Sequence, residues 1–213
     1  MKLRGILAGL AFLIVVAALA IGADEKGKKT KPAAGKMDEK AMMEMMAKYS
    51  TPGEEHKKLQ NFVGTWDTTA RMWMEPGATP QESKGTSENK MVLGGRFLEQ
   101  TFDGTMMNQP FSGRGYTGYD LYKKHYIGTW MDTMGTSIMN ATGAADPSGK
   151  TITFTGSMDD PMSGKKMNFK EVVTMVDDDH HVFEMWMPGP DGKMFKTMEI
   201  QYAKKKTTPA ANE

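Results

Sequence analysis

The residues of this chain with most chemistry to offer are its histidines, its acidic turns and its methionines. His180 and His181 are adjacent and follow Asp177-Asp178-Asp179. Neighbouring side chains of a regular strand point to opposite faces, so this pair chelates one metal only if a turn distorts the backbone. The expectation is a solvated acidic turn, with His180 and His181 as weak metal candidates. Methionine is abundant, 22 in 213 residues. Met42, Met43 and Met46 stand at helical i,i+3 and i,i+4 spacing, and thioethers suit Cu(I). Neither His nor Cys accompanies that cluster, and Met recurs through the rest of the chain, at Met72, Met139, Met185 and Met198 among others. That spread reads as flexible apolar filler in place of Leu or Ile. Copper and haem are the cofactors considered, and none is expected.

Hydrolytic and nucleotide chemistry find no foothold. The sequence has no G-x-S-x-G, no HExxH, no P-loop and no G-x-G-x-x-G that opens a helix. Asp159-Asp160 and Asp177 to Asp179 fall in turn-like stretches, where a carboxylate is readily solvated. Glu171, Glu184, Glu199, Arg71, Arg96 and Arg114 lie within strand-like stretches. Alternate positions of half-buried strands are normally polar, so these six are expected to face outward. No catalytic residue is assigned, and an enzyme reading would need a pocket that holds two convergent charged residues.

The elements that position these residues begin after residue 50. Residues 1–23, MKLRGILAGLAFLIVVAALAIGA, have a short basic head, an apolar run and a small-residue end. They read as a signal peptide for export to the periplasm or beyond, cleaved after Ala20 or Ala23. The run is long enough to anchor the chain in a membrane if it is not cleaved. Residues 24–50 read as a charged, disordered linker followed by a Met-rich helix from residue 37. Removing Lys2 and Arg4 leaves 25 basic residues against 26 acidic. That balance gives nucleic acid nothing to bind. The chain has no cysteine, so thiolate metal sites, cysteine nucleophiles and disulfides are excluded.

Thr51-Pro52-Gly53-Glu54 offers an N-cap, a proline at the first helical position and an acid three residues on. A short helix there puts His56, Leu59 and either Phe62 or Val63 on one face. Beyond it, ten segments rich in Thr, Met, Val and aromatics alternate with turn chemistry. They span 65–74, 83–93, 96–103, 111–119, 124–133, 136–143, 150–157, 166–175, 180–187 and 193–203, with ADPSGK and PGPDGK among the turns. Sequential hairpins leave two exposed edges, and pairing the first strand with the last removes both. The fold expected over 51–204 is therefore all-β, an antiparallel up-and-down barrel of about ten strands with one or two short N-terminal helices; 205–213 is a tail. The inward face carries Trp66, Thr68, Ala70 and Met72 on the first strand. Further on it carries Phe102, Trp130, Ile152, Phe154, Phe169, Phe183, Met198 and Ile200. Of these, Trp66, Met72, Phe102, Trp130, Phe154, Phe169, Phe183 and Met198 are expected to contact a small apolar or amphipathic molecule. A barrel filled by these side chains, with its loops as the working surface, is one alternative; a copper-binding protein built on Met42, Met43 and Met46 is the other.

Gly64-Thr65-Trp66, after a helical lead-in, resembles the opening of lipocalins and the wider calycin group. The resemblance implies that Trp66 plugs the closed end under a basic residue near the last strand, here Lys204 or Lys205. The second GTW, at Gly128-Thr129-Trp130, has no helix before it and reads as a coincidence of strand composition. A nitrobindin-like barrel places a haem-ligating His near its C-terminal strands, where His180 or His181 falls; that family's longer Gly-rich opening after the Trp is missing here. EHKKLQNFVGTWD, VLGGRFLEQ, GYTGYD and YIGTWMDT together resemble an uncharacterised bacterial family, the domain of unknown function 1579, over about residues 54–203. That likeness implies a lipocalin-like fold and leaves the activity open.

Overall fold

A computed structural model describes residues 38–206 apart from Met162. The expected signal peptide, the linker up to residue 37 and residues 207–213 lie outside the described residues. An α-helix, α1 (Glu39–Ser50), carries the Met-rich segment and buries none of its residues. A second short helix, α2 (Glu54–Lys58), continues into a 3-10 turn over Leu59–Phe62. Helix α2 starts later than its sequence suggests. Gly53, in extended conformation, is the N-cap in place of Thr51. The Gly53 N–H donates to His56 Nδ1 at 3.1 Å, a bond that Glu usually accepts in a capping box.

Ten strands follow: β1 (Gly64–Met72), β2 (Gln81–Val92), β3 (Phe97–Met106), β4 (Gln109–Asp120) and β5 (His125–Asp132), then β6 (Met139–Ala145), β7 (Thr151–Asp159), β8 (Lys166–Asp177), β9 (His180–Pro188) and β10 (Met194–Lys204). Each pairs antiparallel with its sequence neighbour, and β1 pairs with β10, so the barrel is closed. Closure leaves no unpaired edge. Because side chains alternate, the register sends one parity of every strand inward. Trp66 lies opposite Ser87, Ser87 opposite Phe102, Phe102 opposite Gly113 and Gly115 opposite Trp130. Irregularities interrupt the pairing between Lys196 and Met198 and between Met175 and Asp177. The first restores Met198, Ile200 and Tyr202 to the inner face.

The two ends of the barrel are unlike. At one end Leu59 and Phe62 enter from the helical segment and join Leu98, Tyr126, Ile152 and Phe154 in a buried cluster. Each such burial is worth about 1.5–3 kcal/mol. Tyr126 donates from its hydroxyl to Glu55 Oε2 at 2.5 Å and ties α2 to the wall. Lys58 and that hydroxyl hold the Glu55 carboxyl below its ordinary pKa. The other end, bounded by the turns after β1, β3, β5, β7 and β9, has no helix across it among the described residues.

Candidate functional site

Trp66 is the centre of the closed end. Its indole is fully buried, and Nε1 donates to the Phe62 carbonyl at 3.0 Å. Lys204 supplies the basic residue, with Nζ 5.3 Å from the indole centre; Lys205 turns to Asp67 instead. Gly64, at φ +141°, takes a conformation that L side chains rarely adopt, and a Cβ there would press on the Lys204 stem at 3.1 Å. Above Trp66 lies His181, stacked on Tyr202 at 4.1 Å and edge-on to Trp66 at 4.3 Å. Burial pushes its pKa down to about 3, so the ring is neutral.

A polar chain crosses the barrel beside these rings. Gln100 Nε2 donates to Ser87 Oγ and to the Tyr202 hydroxyl, Ser87 Oγ donates to Asn89 Oδ1, and Asn89 Nδ2 donates to the Phe62 carbonyl. Ser87 and Asn89 are buried, and the chain satisfies them. Sequence reading missed this group, although its members share the inward parity of Phe102 and Met91.

Above that floor the barrel is hollow. A cavity of about 360 Å³ extends from Gln100 and Tyr202 to a rim at Met106, Met134 and Met139. Met72, Phe102, Trp130, Phe154, Phe169, Phe183 and Met198 line it. Trp66 does not, which corrects its expected place among the ligand contacts: it is sealed beneath His181 and Tyr202. Phe111, Met185 and Ile200 complete much of the apolar wall. Glycines seat the rings. A Cβ on Gly113 would lie 2.1 Å from the Trp130 indole, and one on Gly156 would lie 2.4 Å from the Phe169 ring.

Glu171 also lines the cavity, against the outward expectation. It lies between Phe169 and Val173 on the inner face of β8, opposite Phe154 and Met185. The parity that turns Phe169 inward must turn Glu171 inward too; that was the available signal. Among the described residues its carboxyl makes no hydrogen bond and no ion pair. Burial raises its pKa to about 7. The other strand charges do face outward. Lys196 bridges Glu184 and Glu199, Arg71 lies between Glu82 and Glu199, and Lys90 pairs with Glu99. Arg96, placed by sequence in a strand, sits in the β2–β3 turn and donates to the Leu93 carbonyl. Arg114 has outward parity beside Glu99 and Tyr116.

The remaining candidates are dispersed. His180 sits outside, its Nδ1 2.8 Å from Asp177 Oδ1, while His181 is inside, so the two share no ligand. The described residues include no group of three or more His, Asp or Glu arranged for a metal. His181 does not fit an axial haem ligand, because rings crowd it and the space beside it measures only about 70 Å³. Met42, Met43 and Met46 are exposed on α1.

One solved structure supports the fold. A crystal structure of Rv2717c from M. tuberculosis is similar at 16% identity and a TM-score of 0.52, covering 73% of this chain and 100% of that one. A de novo designed fluorescence-activating β-barrel has 15% identity and a TM-score of 0.39, covering 69% and 96%. The structure titled EF1p2_mFAP2b bound to DFHBI has 12% identity and a TM-score of 0.39, covering 71% and 100%. No curated protein matches the sequence significantly. Residues 51–204 match the family model described as "Protein of unknown function (DUF1579)", and the chain, a closed ten-stranded barrel, belongs to that family.

Proposed function

We propose that the protein is an exported carrier that holds one small, largely apolar molecule inside its barrel. The observation that carries this reading is the cavity of about 360 Å³ walled by aromatic and methionine side chains. Small-molecule sites usually measure ~300–1,000 Å³ and combine an apolar wall with a few polar groups. Here the polar groups are Gln100 and Tyr202 at the floor and Glu171 in the wall. A module that worked only through its loops would have no use for a hollow upper half. Methionine walls adapt to ligand shape with little strain. Export rests on the pattern of residues 1–23.

Titration with N-phenyl-1-naphthylamine, a neutral dye that brightens in apolar surroundings, tests the reading. The expected result is saturable binding at one dye per chain, abolished in Met185→Trp and Met198→Trp variants that keep the wild-type circular dichroism. Dye binding that survives both plugs would place the apolar site elsewhere and refute the carrier reading. Fractionation of the host cell should find the protein outside the cytoplasm.

A further inference from the structure

We infer that the ligand carries a basic nitrogen on an apolar body, a hydrophobic amine, and that Glu171 is the counter-ion that selects it. This rests on the carrier reading and names the class of molecule carried. The first ground is the position of Glu171. It stands midway along an otherwise apolar inner stripe, Met167, Phe169, Val173 and Met175, with Phe154 and Met185 beside it on the flanking strands. A carboxyl in such a place, half-buried and with no partner among the described residues, loses part of its hydration and gains nothing in return. A cation brought by the ligand supplies the missing partner.

The second ground is the sign of the whole lining. Among the described residues it holds no lysine, arginine or histidine. Its carboxylates are Glu171 and Asp132, and Asp132 is already engaged: Oδ2 accepts from Trp130 Nε1 and Oδ1 from the Met134 N–H, both at 2.9 Å. Tyr116 and Tyr202 are the ionisable phenols. The former donates to Glu99 on the outer face and the latter accepts from Gln100. From β7 and β9 no titratable side chain faces Glu171; Lys170 and Glu184 nearby are on the outer parity. An anionic ligand, such as a fatty acid, would meet like charge at short range and no compensating cation. A hydrocarbon would leave Glu171 without a partner. The faces of Trp130, Phe154, Phe169 and Phe183 also favour a positive charge.

Protonation adds a signature. With the Glu171 pKa near 7 in the empty cavity, a cation must first be met by the ionised form. Affinity for an amine that stays protonated therefore falls about tenfold from pH 8 to pH 6.

The test uses three probes with one naphthalene body: 2-(1-naphthyl)ethylamine, 2-(1-naphthyl)ethanol and 1-naphthylacetate, measured by calorimetry on the protein as its cell makes it. The amine should bind at least about tenfold more tightly than the alcohol, and the carboxylate most weakly. In Glu171→Gln the preference for the amine and its pH dependence should disappear, while the circular dichroism and thermal melt of the variant report an intact fold. Equal affinities for amine and alcohol in the wild type would overturn the inference and leave the carrier reading standing. So would an amine preference that survives Glu171→Gln, or tightest binding of the carboxylate. Binding of none of the three would overturn both.

Discussion

Two titratable side chains of the interior, the buried His181 and the half-buried Glu171, give stability opposite dependences on pH. Burial disfavours the charged form of each. The pKa of His181 drops from 6.5 to about 3, so its contribution is complete above pH 6.5 and is lost as pH falls towards 3. The pKa of Glu171 rises from 4.5 to about 7, so its contribution is present below pH 4.5 and is lost as pH rises through 7. Each effect is worth at most roughly 3 kcal/mol, for His181 at pH 4 and for Glu171 at pH 8. Urea unfolding across pH should separate them. Because His181 Nδ1 is buried without a partner, His181→Phe should be near-neutral at pH 7 and should lessen the loss at pH 4. Glu171→Gln should stabilise the protein at pH 8 and leave it unchanged at pH 4. An unaltered acid limb in His181→Phe would show that other groups govern it.

At the scale of the strand, the barrel is built by pairing large rings with absent side chains. Gly113, Gly115 and Gly118 form a G-x-G-x-x-G string, a pattern that in a strand–helix turn cradles phosphate. Here it lies within β4, where Gly113 and Gly115 seat the Trp130 indole and Gly118 seats Phe97 outside. Two glycines of the inner face should therefore respond differently to alanine. At Gly113 the added carbon would stand 2.1 Å from the indole, whereas at Gly128 the nearest atom, of Phe154, is 3.6 Å away, an ordinary contact. Gly113→Ala should cost about 1–3 kcal/mol and alter the near-ultraviolet circular dichroism as Trp130 leaves Asp132. Gly128→Ala should stay within about 1 kcal/mol. Equal costs would mean that the indole yields freely. The second GTW thus has a consequence of its own: its glycine opens the wall and its tryptophan lines the cavity.

The whole molecule divides into a packed half, which holds the fold, and a hollow half, which is free to vary. Truncation at the two ends should show it. Leu98 is buried among Leu59, Phe62 and Ile152, and Leu98→Ala should cost about 2–5 kcal/mol. Met198 borders empty space, and Met198→Ala should cost under about 1.5 kcal/mol because the lost contacts are few. Thermal melts of the two variants at pH 7 check this. A large loss for Met198→Ala would indicate that the upper half closes up in solution.

Much of this molecule follows from sequence by local rules. Ten turn-bounded segments in succession dictate hairpins, so the closed barrel was legible; the faces of Phe102, Trp130, Phe154, Phe169, Phe183 and Met198 rested on strand parities that one bulge inverts, and Met198 reaches the inner face only through the irregularity after Lys196. The face expected to hold His56, Leu59 and Phe62 or Val63 runs over α2 and the 3-10 turn after it, where His56, Leu59 and Phe62 are buried. The resemblance carried by Gly64 and Trp66 pointed to the plug. Other properties depend on partners distant in sequence. Whether Lys204 or Lys205 covers Trp66 depends on the register between β1 and β10. Whether a barrel is filled or hollow depends on how rings from all ten strands meet across it, which no strand specifies alone. Glu171 lies between the two cases: its direction followed from Phe169, but its lack of a partner is a fact about the opposite walls. Only the assembled barrel placed that carboxyl in an apolar space with no cation among the described residues.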